Sequence, residues 1–221
     1  MTKNNILMPM SKQQANISLL KVFKDHKSKE KIFYLAKKDK DLIDLFINFS
    51  NFGEYKRDKG FKGILQLIIE QQLSVASANA IYKKLKAKMP NITPGSFLKI
   101  KESDLKKCGL SKQKINYLTG LAKKCENREI NFRKIHRMDD ENLVKEITKI
   151  KGIGPWTAQC YMLASLSRDD VWPVADLGLM EAVKRIKRLK KRPSEEDMEK
   201  ISQIWRPYRS TVANVLWASY D

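Results

Sequence analysis

The amino-acid sequence predicts an all-α protein. Apolar residues recur three and four positions apart through most of the chain, which is the pattern of amphipathic helices. Alternating apolar and polar runs between Asn-Gly or Asp-Gly turns, the usual sign of β-hairpins, do not occur. With 42% hydrophobic and 9% aromatic residues, the 221-residue chain can bury a core. Its length suits one large domain or two small lobes.

The charge of the chain is strongly positive. Lys and Arg number 44 against 25 Asp and Glu, a formal net charge of +19. Such an excess favours a polyanion as the partner. No apolar run reaches the length of about 18 residues that a transmembrane helix needs, and the N-terminus lacks the apolar stretch of a secretory signal. We therefore expect an intracellular protein that does not associate with membranes.

The three cysteines also indicate an intracellular protein. Cys108, Cys125 and Cys160 are too few and too widely spaced for a disulfide framework or a four-thiolate metal site. We expect reduced thiols, no metal and no cofactor.

The helices are predicted in order along the chain. Residues 1–30 are polar and Lys-rich and predict a basic N-terminal arm, and helical spacing begins at Lys31. The stretch Phe61–Met89 predicts two helices with a break at Gln71–Ser74, where Ser74 would be an N-cap. Further helices are predicted over 97–108 (ended by Gly109), from Ser111 to 125, from Asp139 or Asp140 to 150, and over 155–167, 178–189 and 194–220.

The most informative connection lies between two of these helices. Gly152 and Gly154 flank Ile153, and Pro155 fits the first turn of the next helix. Glycines leave backbone N–H groups uncovered, and such groups beside a helix N-terminus suit a phosphate oxygen. Ile153 would point inward. An ordinary interhelix turn is the alternative interpretation.

Four motifs in order along the chain carry a family resemblance. A Lys-rich approach, the Gly152–Gly154 turn and Pro-Trp-Thr-Ala resemble the helix-hairpin-helix of DNA repair glycosylases. The segment 170–180 resembles the family's catalytic-aspartate loop, with Asp176 lying 20 residues after Trp156. The segment 68–76 resembles the segment that enters the duplex from the minor groove. The segment 205–217 is similar to the C-terminal helix of the 3-methyladenine DNA glycosylase II branch.

This resemblance, over roughly residues 35–221, implies a fold and an activity. Residues 31–221 would form one glycosylase domain of two interleaved helical lobes, with an active-site cleft between them and the hairpin on its rim. A monomer would excise alkylated purines, such as 3-methyladenine and 7-methylguanine, from double-stranded DNA and leave an abasic site. The alternatives are a non-catalytic DNA-binding protein that keeps the hairpin, and a glycosylase for another damaged base.

The resemblance also implies roles for individual residues. Asp176 would be the catalytic carboxylate, although a simple helix N-cap is the plain alternative. Trp156 and Trp217 match base-pocket tryptophans, and Tyr161 and Trp172 are weaker candidates for the same pocket. Each Trp, taken alone, fits a core position better than a pocket position.

Two differences from other branches of the family restrict the reactions and cofactors that the resemblance implies for this chain. Trp156 occupies the position of the lysine that forms a Schiff base in lyase members, so this chain would be monofunctional. No cysteine follows Cys160, which excludes the C-terminal four-cysteine iron–sulfur cluster of other members. Cys160 itself stands where bacterial relatives of this branch have a pocket tyrosine.

Contacts to DNA are expected from three further segments. Gln71, Gln72 and Leu73 would probe the duplex, with the wedge at Gln72 and Leu73 as its apolar neighbour. Ser111 and Lys112 begin a helix that could hold a second phosphate. The run 184–192 has seven cations in nine residues and could track phosphates, a solvated helix face being the alternative.

Overall fold

The computed structural model describes residue 19, residues 21–23 and residues 27–220. Over these residues the chain forms α-helices, one 3-10 turn and loops, and it contains no β-strand, so the predicted fold class is confirmed. None of the helices in these ranges is both long and apolar enough to cross a membrane. Two compact units result: a terminal unit within Met1–Glu54 and Val174–Asp221, and a central unit, Tyr55–Pro173.

Both ends of the chain contribute to the terminal unit, which holds α1, α2 and α11–α13, and the central unit holds α3–α10. In chain order the helices are α1 (Lys29–Lys38), α2 (Asp41–Asn48), α3 (Phe61–Glu70), α4 (Val75–Lys88), α5 (Pro94–Leu98), α6 (Glu102–Lys107), α7 (Lys112–Glu126), α8 (Phe132–Ile135), α9 (Asp140–Ile147), α10 (Pro155–Leu166), α11 (Leu177–Ile186), α12 (Glu195–Ser202) and α13 (Arg209–Tyr220), with the 3-10 turn Gln203–Trp205 after α12.

The core of the terminal unit forms where α13 packs against α11 and α2. Most of the predicted arm lies outside the described residues, but Leu19 and Phe23 are fully buried. The Phe23 ring meets the Phe46 ring edge-on, with centroids 6.3 Å apart. Burying a side chain of this size contributes about 1.5–3 kcal/mol, so this part of the arm belongs to the core.

A partly buried ionic network also lies in the terminal unit. The Lys187 ammonium lies 2.7 Å from a carboxylate oxygen of Asp39 and 2.8 Å from one of Asp41, and the Trp205 indole donates to Asp39 at 2.7 Å. Burial lowers the pKa of Lys187, but its bonds to the two carboxylates outweigh that effect and raise it. The prediction that the whole run 184–192 tracks phosphates is therefore wrong for Lys187, whose charge is used inside the fold.

The central unit is built around α3 and α10, which pack against each other and are largely buried along their length. Helix α7 packs on α3 and on α5, so α3 lies between two layers of helices. This arrangement brings the loop that follows α3 close to the hairpin that precedes α10.

Two predicted helices are broken in the structure. The helix expected over 97–108 is instead α5 and α6, because a capping box of Thr93 and Ser96 starts α5 earlier and that helix ends at Leu98. The helix expected over 194–220 breaks at Pro207, which has no N–H to donate and disfavours helical backbone in Arg206. Gly109 ends α6 with φ +104°, as predicted.

The predicted N-cap at Ser74 is confirmed, and the helix starts predicted at Ser111 and at Asp139 or Asp140 are N-caps at Ser111 and Asp139. Ser74, Ser111 and Asp139 each accept a hydrogen bond from the backbone N–H three residues on, and α4, α7 and α9 follow them. Each such cap contributes about 1 kcal/mol and needs only local sequence.

Candidate active site

Asp176 is held at the start of α11. Its Oδ1 accepts a hydrogen bond from the backbone N–H of Leu179 at 2.8 Å, so it is the N-cap of the helix. The same oxygen accepts a second hydrogen bond, at 3.1 Å, from Nε1 of Trp217. The N-cap alternative is therefore confirmed, and Asp176 is in addition a half-buried, oriented carboxylate whose catalytic role stays a prediction.

The surroundings of this carboxylate come from the packing of α13 on α11. Gly178 lies between the carboxylate and the last turn of α13, since a Cβ there would come within 3.2 Å of Asp176 Oδ1 and 3.5 Å of the Tyr220 ring. Tyr220 and Leu177 are exposed by 51% and 63%. Tyr220 was not predicted from the sequence, although its position three residues after Trp217 places the two aromatics on one helix face.

The predicted hairpin connects α9 and α10. Gly152 has φ +93°, and a Cβ there would come within 2.4 Å of the Tyr117 ring, so backbone conformation and space both require glycine. Gly154 differs: it is extended (φ −90°), it is the N-cap of α10, and a Cβ there would meet nothing within 4 Å. Ile153 is buried, as expected of an apolar pin.

The four aromatic residues proposed for the base pocket separate into two classes. Trp156, in the first turn of α10, and Trp217 are half-buried. Tyr161 is fully buried, and Trp172 is 3% exposed. Rings without exposed surface have no face for a base to stack on. The structure thus contradicts a stacking role for Tyr161 and Trp172, which are interior residues.

The hydroxyl of Tyr161 has two partners inside the central unit. It accepts a hydrogen bond from the Gly60 N–H at 2.6 Å and is hydrogen-bonded to Nε2 of His136 at 2.7 Å. Burial, followed by the nearby charges of Lys59 and Arg168, lowers the pKa of His136 and favours the neutral imidazole. Burial likewise raises the pKa of Tyr161 to about 12.

The loop 71–74, between α3 and α4, is exposed at its tip. Gln72 has φ +56°, an uncommon left-handed conformation for a residue other than glycine, and its side chain is exposed. Leu73 is 41% exposed. Gln71 points the other way, because its Nε2 donates to the Gly152 carbonyl at 2.9 Å and to Thr157 Oγ1 at 3.0 Å. Gln72 and Leu73 remain the wedge candidates, and Gln71 tethers the loop to the hairpin.

The second predicted phosphate site begins α7. Ser111 Oγ accepts the Lys114 N–H as a helix cap, and Lys112 is exposed. Lys114, two residues after Lys112, is turned inward: its ammonium donates to the carbonyls of Ile69 and Gln71, each at 2.7 Å. No short sequence pattern indicates this, since the partners are 45 and 43 residues away.

Across the described part of the chain, no three His, Cys, Asp or Glu side chains lie close enough to hold a metal ion. Cys108 and Cys160 are buried thiols, and Cys125 is partly buried.

Comparison with known proteins identifies the family. The family model described as "HhH-GPD superfamily base excision DNA repair protein" matches residues 65–207. DNA-3-methyladenine glycosylase 1 of Schizosaccharomyces pombe is 30% identical over 182 residues, which cover 80% of this chain and 80% of that protein.

Solved structures agree with the sequence match. The Schizosaccharomyces pombe 3-methyladenine DNA glycosylase in complex with abasic DNA has a TM-score of 0.77 at 28% identity, covering 85% of this chain and 95% of that one. The DNA-3-methyladenine glycosidase from Bacillus halodurans has a TM-score of 0.70 at 26% identity, covering 89% and 90%. The family model spans the loop 71–74, the hairpin and the Asp176 loop. The chain belongs to the HhH-GPD superfamily of base excision DNA repair proteins.

Proposed function

We propose that this protein is a monofunctional DNA glycosylase that excises alkylated purines from double-stranded DNA and leaves an abasic site. One observation carries the assignment: the Asp176 carboxylate is fixed by a backbone N–H of its own helix and by the Trp217 indole. Capping α11 requires only the bond from Leu179, and the second bond, from the Trp217 indole, supports a role for this carboxylate beyond capping.

The reaction uses the negative charge of Asp176. Breaking the N-glycosidic bond develops positive charge on the deoxyribose, and a fixed carboxylate stabilises that charge in the transition state. The same group can orient the attacking water and take its proton. Because Oδ1 accepts two hydrogen bonds, the direction of the carboxylate is set before substrate binds.

Alkylated purines suit a site of this kind. 3-Methyladenine and 7-methylguanine carry a formal positive charge in DNA, so the base leaves without being protonated by a general acid. Half-buried Trp156 and Trp217 offer ring surface for stacking and cation–π attraction, worth about 1–2 kcal/mol per good contact. We assign these two tryptophans to base recognition.

DNA binding would begin at the hairpin. Backbone N–H groups around Gly154, at the start of α10, suit a phosphate oxygen and fix register without reading sequence. Gln72 or Leu73, exposed at the tip of the loop 71–74, would fill the gap left by the extruded nucleotide. We propose that the protein acts on DNA as a monomer.

The test is incubation of the protein with DNA methylated at purines, followed by chromatography of the released bases. Release of 3-methyladenine or 7-methylguanine by the wild type, and not by Asp176→Asn, is the expected result. DNA binding without release of any base would support the non-catalytic alternative. Release from oxidised or mismatched DNA alone would support another glycosylase branch.

A further inference from the structure

The loop 71–74 is supported from below by a lysine. The ammonium of Lys114, on α7, donates to the carbonyls of Ile69 and Gln71 at 2.7 Å each. These carbonyls lie at the C-terminal end of α3, where backbone acceptors have no partner within the helix. Burial lowers the pKa of Lys114. The partly buried Lys114 ammonium therefore stabilises the start of the loop 71–74 by donating hydrogen bonds to main-chain oxygens there.

Gln71, whose carbonyl accepts a hydrogen bond from Lys114, is also bound to the hairpin. Gln71 offers its carbonyl to Lys114, and its Nε2 donates to the Gly152 carbonyl and to Thr157 Oγ1. Lys114 and the hairpin are therefore connected through a single intervening residue, by bonds of 2.7 to 3.0 Å.

Helix α7 reaches the hairpin by a second route. The ring of Tyr117 fills the space where Gly152 would carry a Cβ, and the Tyr117 hydroxyl accepts a hydrogen bond from Gln113 Nε2 at 2.6 Å. Lys114 and Tyr117 lie three residues apart and so share one face of the helix. That face contacts the loop 71–74 at one point and the hairpin at another.

We propose that Lys114 is a positioning residue that joins the loop 71–74 to the hairpin, so that phosphate binding by the hairpin sets how far the loop tip enters the duplex. The inference rests on the proposed function. Extruding a nucleotide from the duplex costs a few kcal/mol. The loop that fills the gap must therefore keep its position against restacking of the base. The tip, with Gln72 in a left-handed conformation, has no helix of its own to resist that force.

The chain offers matched comparisons on the same helix. Lys114→Met removes the donor and one charge. Lys123→Met removes one charge from an exposed position in the last turn of α7 and controls for charge alone. Lys112→Met removes the exposed lysine of the predicted phosphate site and is the reference for a variant that binds one phosphate fewer. Lys114→Arg keeps donors at the position and should partly restore function.

Three measurements separate the roles: affinity for an abasic-site duplex across a salt series, fluorescence of 2-aminopurine placed beside the lesion, and the single-turnover rate of 7-methylguanine release. Lys114→Met should lower the 2-aminopurine signal and the single-turnover rate about tenfold or more, since misplaced groups cost rate steeply. Its affinity and salt slope should stay near those of Lys123→Met. Thermal unfolding of each variant checks that it is folded.

Opposite outcomes would overturn the proposal. If Lys114→Met reduced affinity and salt slope as Lys112→Met does, with a normal rate at saturation, Lys114 would be a phosphate-binding residue. If Lys114→Met matched the wild type in all three measurements, Lys114 would not be needed to position the loop 71–74. Should Lys114→Met not fold, Gln71→Met breaks the same connection from the other side and should give the same pattern. A wild type that flips the base and releases none contradicts the proposed function alone, because the fluorescence measurement needs no chemistry.

Discussion

The indole nitrogen of Trp217 donates a hydrogen bond to Oδ1 of Asp176 at 3.1 Å across 41 residues of sequence. The residue that we assign to stacking on the base therefore also sets the direction of the carboxylate that we propose faces the sugar. Because α13 carries the indole and α11 carries the carboxylate, their packing fixes the geometry of this pair.

Replacing Asp176 by Asn should remove the charge and keep the cap, since Asn is as good an N-cap as Asp. We expect the single-turnover rate of base release to fall about 10²- to 10³-fold, with little change in DNA affinity or thermal stability. Asp139→Asn, at the N-cap of α9, is the matched control and should leave the rate unchanged. A near-normal rate in Asp176→Asn would place the catalytic charge elsewhere.

Trp217→Phe keeps an aromatic ring and removes the N–H donor. A hydrogen bond to a charged group contributes about 1.5–3 kcal/mol, so the rate should fall about 10- to 100-fold. The decisive measurement is a double-mutant cycle: in the Asp176→Asn background the same change should have a much smaller effect. Equal effects in both backgrounds would mean that the indole acts by stacking alone.

By its resemblance to the family, we place Trp156 where lyase members carry their amine, so we expect no Schiff base with the sugar. Borohydride added during the reaction should trap no covalent protein–DNA complex, and strands should break only after alkali or heat. The measurement is denaturing electrophoresis of labelled duplex. An adduct that disappears in Asp176→Asn would reveal another active-site amine.

Affinity for DNA should have two separable parts. Gly154→Val fits the protein, because a Cβ at 154 meets nothing within 4 Å, but it should block close approach of a phosphate and weaken binding about tenfold even at low salt. Changing the exposed Lys190 and Lys191 to Ala should instead flatten the salt slope by about 0.9 for each phosphate that is no longer neutralised. Anisotropy across a salt series measures both. An unchanged slope would make that segment a solvated face.

Lys187 should matter for stability. Lys187→Met leaves the Asp39 carboxylate, which is 5% exposed, without its cation, and the free energy of unfolding should fall by about 3 kcal/mol or more. Lys190→Met, which removes an exposed charge from the same run, should change it by less than about 0.5 kcal/mol. Urea unfolding followed by circular dichroism measures both. Equal stability of the two variants would contradict the partly buried network.

The features predicted from sequence were those with local causes. Ser74, Ser111 and Asp139 cap helices through atoms three residues away, so short patterns revealed them. The break between α5 and α6 was missed because apolar spacing continues across it, and only the Thr93 capping box marks where α5 begins.

The features that were missed depend on contacts distant in sequence. Lys187 looks like one cation among seven, and its carboxylate partners lie 148 and 146 residues away. Tyr161 looked like a pocket residue, and its burial follows from packing in the central unit. The resemblance named Asp176 and Trp217 separately, and only the packing of their helices brings them into contact.

The conformation of Gln72 has an evolutionary implication. Left-handed backbone costs an ordinary residue about 1–2 kcal/mol more than it costs glycine, so at φ +56° the loop is less stable than a glycine would make it. A substitution that relieved this strain would be favoured by stability alone. A glutamine at this position is understandable if selection acts on the exposed side chain, so the tip of the loop is a place where activity and thermal robustness are expected to trade against each other.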